Sequence, residues 1–476
     1  MHPEELRNGP RRRIALINPP VIALDRVQVD YYADAIPHGL FQIATWLSDL
    51  GHEVRVADMM SYEKHRRRWR DLLVSGDLTP VAPVATGAPG HRLDAWRYGQ
   101  PLDALEPWFK RLGGAPDEVW VTCAIPFNGE VAHGVIEAVR ALAPAALIRF
   151  GGGYPSALPE EAAASGADDV HIGRVRDADR VQPDLARHTR VRDFAHFRLT
   201  CGCPNRCTFC INGSDDLHRF DVGEVLEYIR RTRRDLGITR FNNWDPNVLQ
   251  FGDHLRDFLD GAASLPDDVR LRFDMGLEPA LVDDLTGAAL RRGRVSAFSI
   301  PFESVDPDRW RLYEKPYTVI STLRALGRLR DCGFDLSPCH GTYIIGFPDE
   351  DLRDLFAVHH LIHGAGLLGT PFPITPVKGS PIWDRYADRL DGRATRDLNG
   401  HAFPLLGDAD TVALYRRLLP VLVTTTPGGD EALMKDFSPA VREAWAEGRA
   451  RAARLVEAVR RTAEPDSIAL LEQLLG

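Results

Sequence analysis

Four of the seven cysteines of this 476-residue chain fall within ten residues, in the stretch Arg198-Leu-Thr-Cys-Gly-Cys-Pro-Asn-Arg-Cys-Thr-Phe-Cys210. Cys203, Cys207 and Cys210 have C-x3-C-x2-C spacing, which on a short loop brings three thiolates to one metal cluster. Iron–sulfur clusters are held by such thiolates. With three local ligands a four-iron cubane keeps one iron open, and catalytic metals bind substrate through open positions. Zinc asks for four ligands, usually as two C-x2-C pairs. Drafting Cys201 gives C-x-C-x3-C-x2-C, which is not a usual zinc spacing, so Cys201 is expected outside the cluster.

Alternating strand and helix patterns must position these thiolates. After the cysteines, Gly223-Glu-Val-Leu-Glu-Tyr-Ile reads as a helix and Ile238-Thr-Arg-Phe-Asn-Asn as a strand. The alternation continues to about residue 383 and makes about six β/α units, short of the eight of a full barrel. Before the cysteines, the apolar run at 13–18 ends at Pro19-Pro20. A helical pattern at 38–50 and a second strand at 53–58 complete a β-α-β unit, so a parallel sheet is expected. Strands near 118, 147 and 169 extend it to a doubly wound α/β domain over 1–180. Residues 60–115, rich in Arg, Pro and Gly, read as an insertion of loops with one or two helices: a surface excursion or a lid. Gly151-Gly-Gly153 sits where a strand meets a helix, where such folds bind ligands, and also suits a tight turn. The barrel spans 190–383, and residues 384–476 read as a helical region ending in a packing helix.

Composition narrows the function. The chain is 44% hydrophobic and 26% charged, with a net charge of −9. That is an ordinary globular composition and argues against nucleic acid or an anionic membrane as partner. No apolar run approaches 18 residues, and the first residues lack a secretory signal. A cytoplasmic location is expected, where reducing conditions disfavour a disulfide framework.

Cys203-Pro-Asn-Arg-Cys207-Thr-Phe-Cys210, at the end of the first strand of an incomplete barrel, resembles the radical S-adenosylmethionine (SAM) superfamily. The resemblance covers residues 198 to about 383. It implies that the three thiolates hold a [4Fe–4S] cluster and that the open iron binds SAM. Cleavage of SAM would then give a 5′-deoxyadenosyl radical that takes a hydrogen atom from substrate. It also implies Phe209 near the adenine and Asn243, Asp245 and Asn247 on the SAM amino group or ribose. Glu303, in Pro301-Phe-Glu-Ser304, is expected on SAM or substrate. Gly346 and Pro348 resemble the strand end that flanks adenine, and Pro376 the segment that closes the barrel. A small-molecule substrate and an electron donor such as flavodoxin or ferredoxin follow from the same resemblance.

The first domain resembles the cobalamin-binding domain that precedes the barrel in many radical SAM proteins, on Asn18-Pro-Pro20, Pro37-His-Gly-Leu40, Gly51-His-Glu-Val54 and Gly151-Gly-Gly-Tyr-Pro155. Cobalamin is therefore a further candidate cofactor. There is no D-x-H-x-x-G motif; Asp169-Val-His171-Ile-Gly173 is one residue short. Two enzyme readings stand. One is radical dehydration of a diol in a sugar or aminoglycoside precursor, as in the radical SAM diol dehydratase of the apramycin pathway. The other is cobalamin-dependent C-methylation. Dehydration needs a general base near the barrel mouth. Asp245, Glu303 and His340 are the candidates carried forward, with Asp274 and Glu278 as alternatives that also read as solvated loop charges. A third reading is a non-enzymatic metal or cofactor binder. His359, His360 and His363 read as one helix face, and Cys123, Cys332 and Cys339 as packing residues.

Overall fold

The computed structural model describes residues 3–33, 35–60, 69–189, 193–211, 213–426, 431–461 and 468–475. The chain divides into two compact units. One is Met1–Arg192 with Thr375–Gly379 and Trp383–Val412; the other is Asp193–Ile374 with Ser380–Ile382 and Ala413–Gly476.

In the first unit, strands β1 (Arg13–Asn18), β2 (Glu53–Asp58), β3 (Glu118–Thr122), β4 (Leu147–Gly151) and β5 (Asp169–Val170) form one sheet in the order β2-β1-β3-β4-β5. Every pairing is parallel. β1 is an interior strand, and Ile14, Ala15, Leu16 and Ile17 are buried, as a strand covered by helices on both faces requires. The order reverses between β1 and β3, which places the ligand crevice of such a sheet at the C-terminal ends of these strands.

The insertion is more regular than its composition suggests. Leu78–Ala85 and Arg92–Tyr98 pair antiparallel, and Val21–Ala23 adds to them as a third strand. Residues 61–68 lie outside the described residues. The expectation of a single helical region over 384–476 is corrected: Trp383–Val412 belongs with the first unit. Hydrogen bonds tie it there. Arg393 donates to the Thr86 carbonyl at 2.7 Å, Asp397 accepts from the Ala85 N–H at 2.8 Å, and Asn399 accepts from Gln28 at 2.9 Å.

In the second unit, β6 (Phe194–Phe197), β7 (Arg240–Asn243), β8 (Arg270–Phe273), β9 (Val295–Glu303), β10 (His340–Ile345) and β11 (Leu368–Pro373) pair in sequence order, all parallel. Helices alternate with them, from Val222–Leu236 to Leu352–Gly364. Asp221, Asp283, Thr318 and Asp351 cap four of these helices through their side chains. The helix Pro439–Arg461 packs on Leu352–Gly364, with Trp445 edge-on to Phe356. Gly448 permits this approach, since a Cβ there would lie 2.7 Å from Phe356.

Glu118, the first residue of β3, ties the edge of the first sheet together. It is 2% exposed and accepts from Trp120 Nε1 at 2.7 Å, from Arg149 Nε at 2.8 Å and from Arg12. Burial alone would raise its pKa; the hydrogen bonds from Arg149 and Trp120 and the arginine charges outweigh it and hold the carboxyl below its usual range. Breaking such a pair strands buried arginine charge, so Glu118→Gln is expected to cost about 3–5 kcal/mol by urea unfolding of the first unit. The stabilisation by a lowered carboxylate is present above the unfolded pKa and lost as pH falls through the folded one. The difference between wild type and Glu118→Gln is therefore expected to shrink below about pH 4.

Candidate active site

The cysteine loop is the tip of a β-ribbon. After β6, Thr200–Cys203 turns back and pairs antiparallel with Ser214–Arg219. The register slips between Cys201 and Cys203, where Gly202 takes φ +78°. A Cβ at Gly202 would lie 2.6 Å from the Asp216 carbonyl oxygen, so this bulge needs glycine. Thr208 anchors the far side: its N–H donates to the Tyr313 carbonyl at 3.2 Å and its Oγ1 to the Leu312 carbonyl at 2.6 Å. Cys203 and Cys207 are half-buried and Cys210 is exposed, so the three thiols line one accessible loop. Cys201 is buried, 3.7 Å from an Arg198 guanidinium nitrogen. Burial raises the Cys203 and Cys207 thiols, Cys207 to about 11, and each is further disfavoured as a thiolate by the other cysteines. Among the described residues no three His, Cys, Asp or Glu side chains are drawn close enough for a single ion.

The loop after β7 supplies the next group. Asn243 Nδ2 and Asn247 Oδ1 are buried without a hydrogen-bond partner. Buried polar atoms are normally paired, so such atoms beside an open metal loop fit a polar ligand such as SAM. Asn247 also donates to Glu278, which accepts from Asn205 of the cysteine loop at 3.0 Å. Asp245 differs from its neighbours and from the expectation. It is fully buried, and its carboxylate accepts the N–H groups of Leu199 at 3.1 Å and Thr200 at 2.9 Å. Burial pushes its carboxyl up to about 7. Asp245 holds the turn that launches the ribbon and has no surface left for SAM or a proton transfer.

Glu303 ends β9 in the left-handed region at φ +52°, a strained conformation for a residue with a Cβ. Its buried carboxylate pairs with Lys315, which also donates to Tyr317 at 2.9 Å. The Lys315 ammonium sits 5.3 Å from the centroid of the Phe209 ring. Phe209 packs edge-on to Tyr313 at 5.2 Å. Sequence reasoning named Glu303 and Phe209 and missed Lys315. The signal was a lysine set between aromatics, Tyr313-Glu-Lys-Pro-Tyr317, in a chain whose 58 basic residues are nearly all arginine.

Gly346 follows β10 at φ +96°, and its N–H donates to Glu350 at 3.0 Å. Tyr415 donates to the same carboxylate oxygen at 2.6 Å. Burial pushes the Glu350 carboxyl up to about 7. Pro348 lies in this turn, next to the buried Phe347. Pro376 lies in Thr375–Gly379, which groups with the first unit rather than with the residues above.

His340 also departs from expectation. It is the first residue of β10, at the N-terminal end, whereas the catalytic loops of barrels follow the C-terminal ends. Tyr343 and Gly341 face the helix layer, against His359 and Ile362, so alternation turns His340 and Thr342 to the concave face. There His340 Nδ1 lies 3.0 Å from Thr370 Oγ1. Leu271 and Phe273 are buried, which sends Arg272 and Asp274 to the same concave face; they pair at 2.9 and 3.1 Å. His359 is wholly buried between Tyr343 and Thr425 hydroxyls, a helix-face residue as its spacing suggests.

The crevice of the first unit holds the chain's own side chains. Ala23 follows β1, Met60 follows β2 and Phe127 follows β3, and they pack in one buried cluster with Tyr32, Leu72, Leu78 and Tyr98. Asn128 Oδ1 bridges the switch point by accepting the Ile22 N–H at 2.9 Å. Gly152 and Gly153 are explained by close packing: a Cβ would lie 2.5 Å from the Cys123 carbonyl oxygen and 2.2 Å from that of Ala124.

Comparisons with known proteins agree with this geometry. The family model described as the radical SAM superfamily matches residues 197–362. Ribosomal protein uS12 methylthiotransferase RimO of Aeromonas salmonicida is 28% identical over 210 residues, 40% of this chain and 46% of the relative. RimO of Rhodopseudomonas palustris is 28% identical over 234 residues, 44% of this chain and 52% of the relative. The chain thus spans about half the length of the curated relatives it matches. Among solved structures, the radical SAM methyltransferase TsrM from Kitasatospora setae, with tryptophan and a SAM analogue bound, has a TM-score of 0.57 at 14% identity, covering 80% of this chain and 77% of its own. The cobalamin-dependent radical enzyme OxsB, with aqua-cobalamin and SAM bound, has a TM-score of 0.58 at 10% identity, covering 96% and 72%. These two are likenesses of fold. The radical SAM superfamily model thus covers residues 197–362, and the cofactors of that superfamily are a [4Fe–4S] cluster and SAM.

Proposed function

We propose that this radical SAM enzyme takes a hydrogen atom from a small polar metabolite and drives loss of water from a diol, without cobalamin. The filled crevice over β2, β1 and β3 carries this reading. A corrin needs the C-terminal edge of the doubly wound sheet, and Ala23, Met60 and Phe127, which follow β1, β2 and β3, pack there with Tyr98 in one buried cluster. When bound, the cluster supplies an electron that cleaves SAM to methionine and a 5′-deoxyadenosyl radical. Cys203, Cys207 and Cys210 hold the cluster. Asn243 Nδ2 and Asn247 Oδ1 are the buried polar atoms available to SAM. Gly346 and Pro348 form the turn that flanks adenine, and Glu350 fixes that turn. Substrate lies against the concave face, where Arg272, Asp274 and His340 present polar groups suited to hydroxyls. Asp274, kept close to a guanidinium, is the base we assign to the hydroxyl proton of the substrate radical.

The alternative is cobalamin-dependent C-methylation, supported by the likeness of fold to TsrM and OxsB. A corrin-binding assay separates the two. The anaerobically rebuilt protein, incubated with hydroxocobalamin and desalted, is expected to hold about four irons and no cobalt. One cobalt per chain would overturn the cobalamin-free reading and direct the search to methylated products.

Cys203→Ala, Cys207→Ala and Cys210→Ala are each expected to lose the cluster, whereas Cys201→Ala keeps it; iron content and the visible spectrum of the rebuilt proteins report this. Asn243→Ala should weaken SAM binding about tenfold, the loss of one hydrogen bond to a charged ligand. An unchanged dissociation constant in equilibrium dialysis would remove Asn243 from the site. Asp245→Asn should lower thermal stability and cluster content, because its oxygens hold the Leu199 and Thr200 N–H groups, and should leave the SAM affinity of the loaded fraction close to wild type.

A further inference from the structure

The second sheet carries two hydroxyls that the fold leaves unused. Ser299 lies within β9 and Thr342 within β10. Ser299 is 6% exposed, yet among the described residues neither Ser299 Oγ nor Thr342 Oγ1 has a hydrogen-bond partner. Other hydroxyls on the same strands are paired. Ser296 donates to the Leu271 carbonyl at 2.9 Å, and Thr370 Oγ1 lies 3.0 Å from His340 Nδ1. A buried hydroxyl left bare is costly, so one in a polar surrounding points to a polar ligand. The register fixes where both side chains point. Ser299 pairs with His340, Ile300 with Gly341 and Pro301 with Thr342. Paired residues of a parallel ladder share a face, and residues two apart along a strand share it too. Gly341 turns to the helix layer, where a Cβ would lie 2.6 Å from Ile362. Ser299, His340 and Thr342 therefore face the concave side, with Arg272 and Asp274. The Arg272 and Asp274 charges both act on the thiol of Cys339, the residue before His340, which places that ion pair near the same row.

We propose that Ser299 and Thr342 are specificity-determining residues of the substrate site, each hydrogen-bonded to a hydroxyl of an uncharged polyol ring. They lie on neighbouring strands and two residues apart in register, so their backbones stand about 8 Å from each other, the span of one ring with a hydroxyl on either side. A hydroxyl both donates and accepts, so each can meet either end of a substrate O–H. Charge selects the class further. Arg272 and Asp274 pair with each other at 2.9 Å, and the patch keeps no surplus charge to hold a phosphate or an ammonium group. A ring lacking the two hydroxyls would leave Ser299 and Thr342 bare, and a site built to hydrogen-bond a hydroxyl rejects the analogue without it. Both residues lie four positions before the turns at Glu303 and Gly346, inside their strands, so they stand apart from the residues given to SAM. The inference rests on the reading that substrate lies on the concave face, and it names the ring class and the groups that select it.

The test is binding, read apart from turnover. The probes are myo-inositol and D-glucose as uncharged polyol rings, myo-inositol phosphate as an anionic one, and cyclohexanol as a ring with a single hydroxyl. The protein is rebuilt without oxygen, supplied with SAM and no reductant, and titrated with each probe by calorimetry. At least one uncharged polyol is expected to bind in the millimolar range, more tightly than the phosphate or cyclohexanol. Ser299→Ala and Thr342→Val are each expected to weaken it about tenfold, the loss of one hydrogen bond, with iron content and thermal unfolding close to wild type. Wild-type affinity in both variants would overturn the assignment. So would failure of both polyols to bind the wild-type protein, or tighter binding of the phosphate or of cyclohexanol. Should Ser299→Ala fail to fold, Thr342→Val alone decides by the same criteria. Product analysis after reduction separates this inference from the dehydration reading. A bound polyol converted with all its oxygens retained overturns dehydration and leaves the site standing. Loss of water with unchanged affinities in the variants does the reverse.

Discussion

Three thiolates must meet at one place on a loop that has no regular structure of its own, and the second unit is organised around that constraint. An irregular loop of this length keeps much of its conformational freedom unless its ends and middle are fixed. Asp245 fixes the start, with a wholly buried carboxylate on the N–H groups of Leu199 and Thr200. Gly202 and the Ser214–Arg219 strand fix the ribbon. Thr208 fixes the middle through the Leu312 and Tyr313 carbonyls and accepts the Ile382 N–H at 3.2 Å. Apart from the ribbon's own strand, these anchors come from segments that follow different strands of the sheet.

Around this loop the charges are arranged in opposed pairs. Glu278 collects Asn205 and Asn247 on one side, and Lys315 with Glu303 stands on the other. Buried ion pairs contribute little net stability compared with apolar packing of the same volume. The pair at the end of β9 stands beside a left-handed backbone at Glu303, a conformation that costs energy in a residue with a Cβ. The same logic separates Asp245 from Glu303. Both are buried acids at strand ends, but the Asp245 oxygens accept backbone N–H groups while Glu303 meets the buried Lys315 ammonium.

The first unit combines a doubly wound topology with an antiparallel sheet built from its insertion. Its strand order provides a crevice at the β1–β3 switch point. The antiparallel sheet built from Val21–Ala23, Leu78–Ala85 and Arg92–Tyr98, strapped by Arg393, Asp397 and Asn399, fills the edge that such a crevice would occupy. Apolar side chains buried there carry the driving force that a ligand would otherwise supply.

The C-x3-C-x2-C spacing, the alternation of strand and helix, and the strand-end positions of Asn243, Asn247, Glu303 and Gly346 were legible from the residues alone. These signals are local: spacing on a loop, periodicity along an element, turn chemistry at its end. Whether an acid faces a ligand or a backbone N–H is not local, which is why the sequence did not show that the Asp245 oxygens accept the Leu199 and Thr200 N–H groups. Asp245 is two residues from Asn243 and differs from it only in what folds over it. His340 opens β10 in register with Ser299 of β9, so its strand position, not its residue type, sets its place on the concave face. Lys315 acquired its meaning from Glu303, twelve residues away, and from a ring in the cysteine loop more than a hundred residues earlier. The insertion looked irregular because its strands pair with Val21–Ala23, far upstream, and non-local pairing leaves little trace in a sequence window. The sequence by itself determined which cofactor chemistry this chain can hold. The tertiary structure decided which charges surround it, because burial and partner, not residue type, set what an ionisable group does.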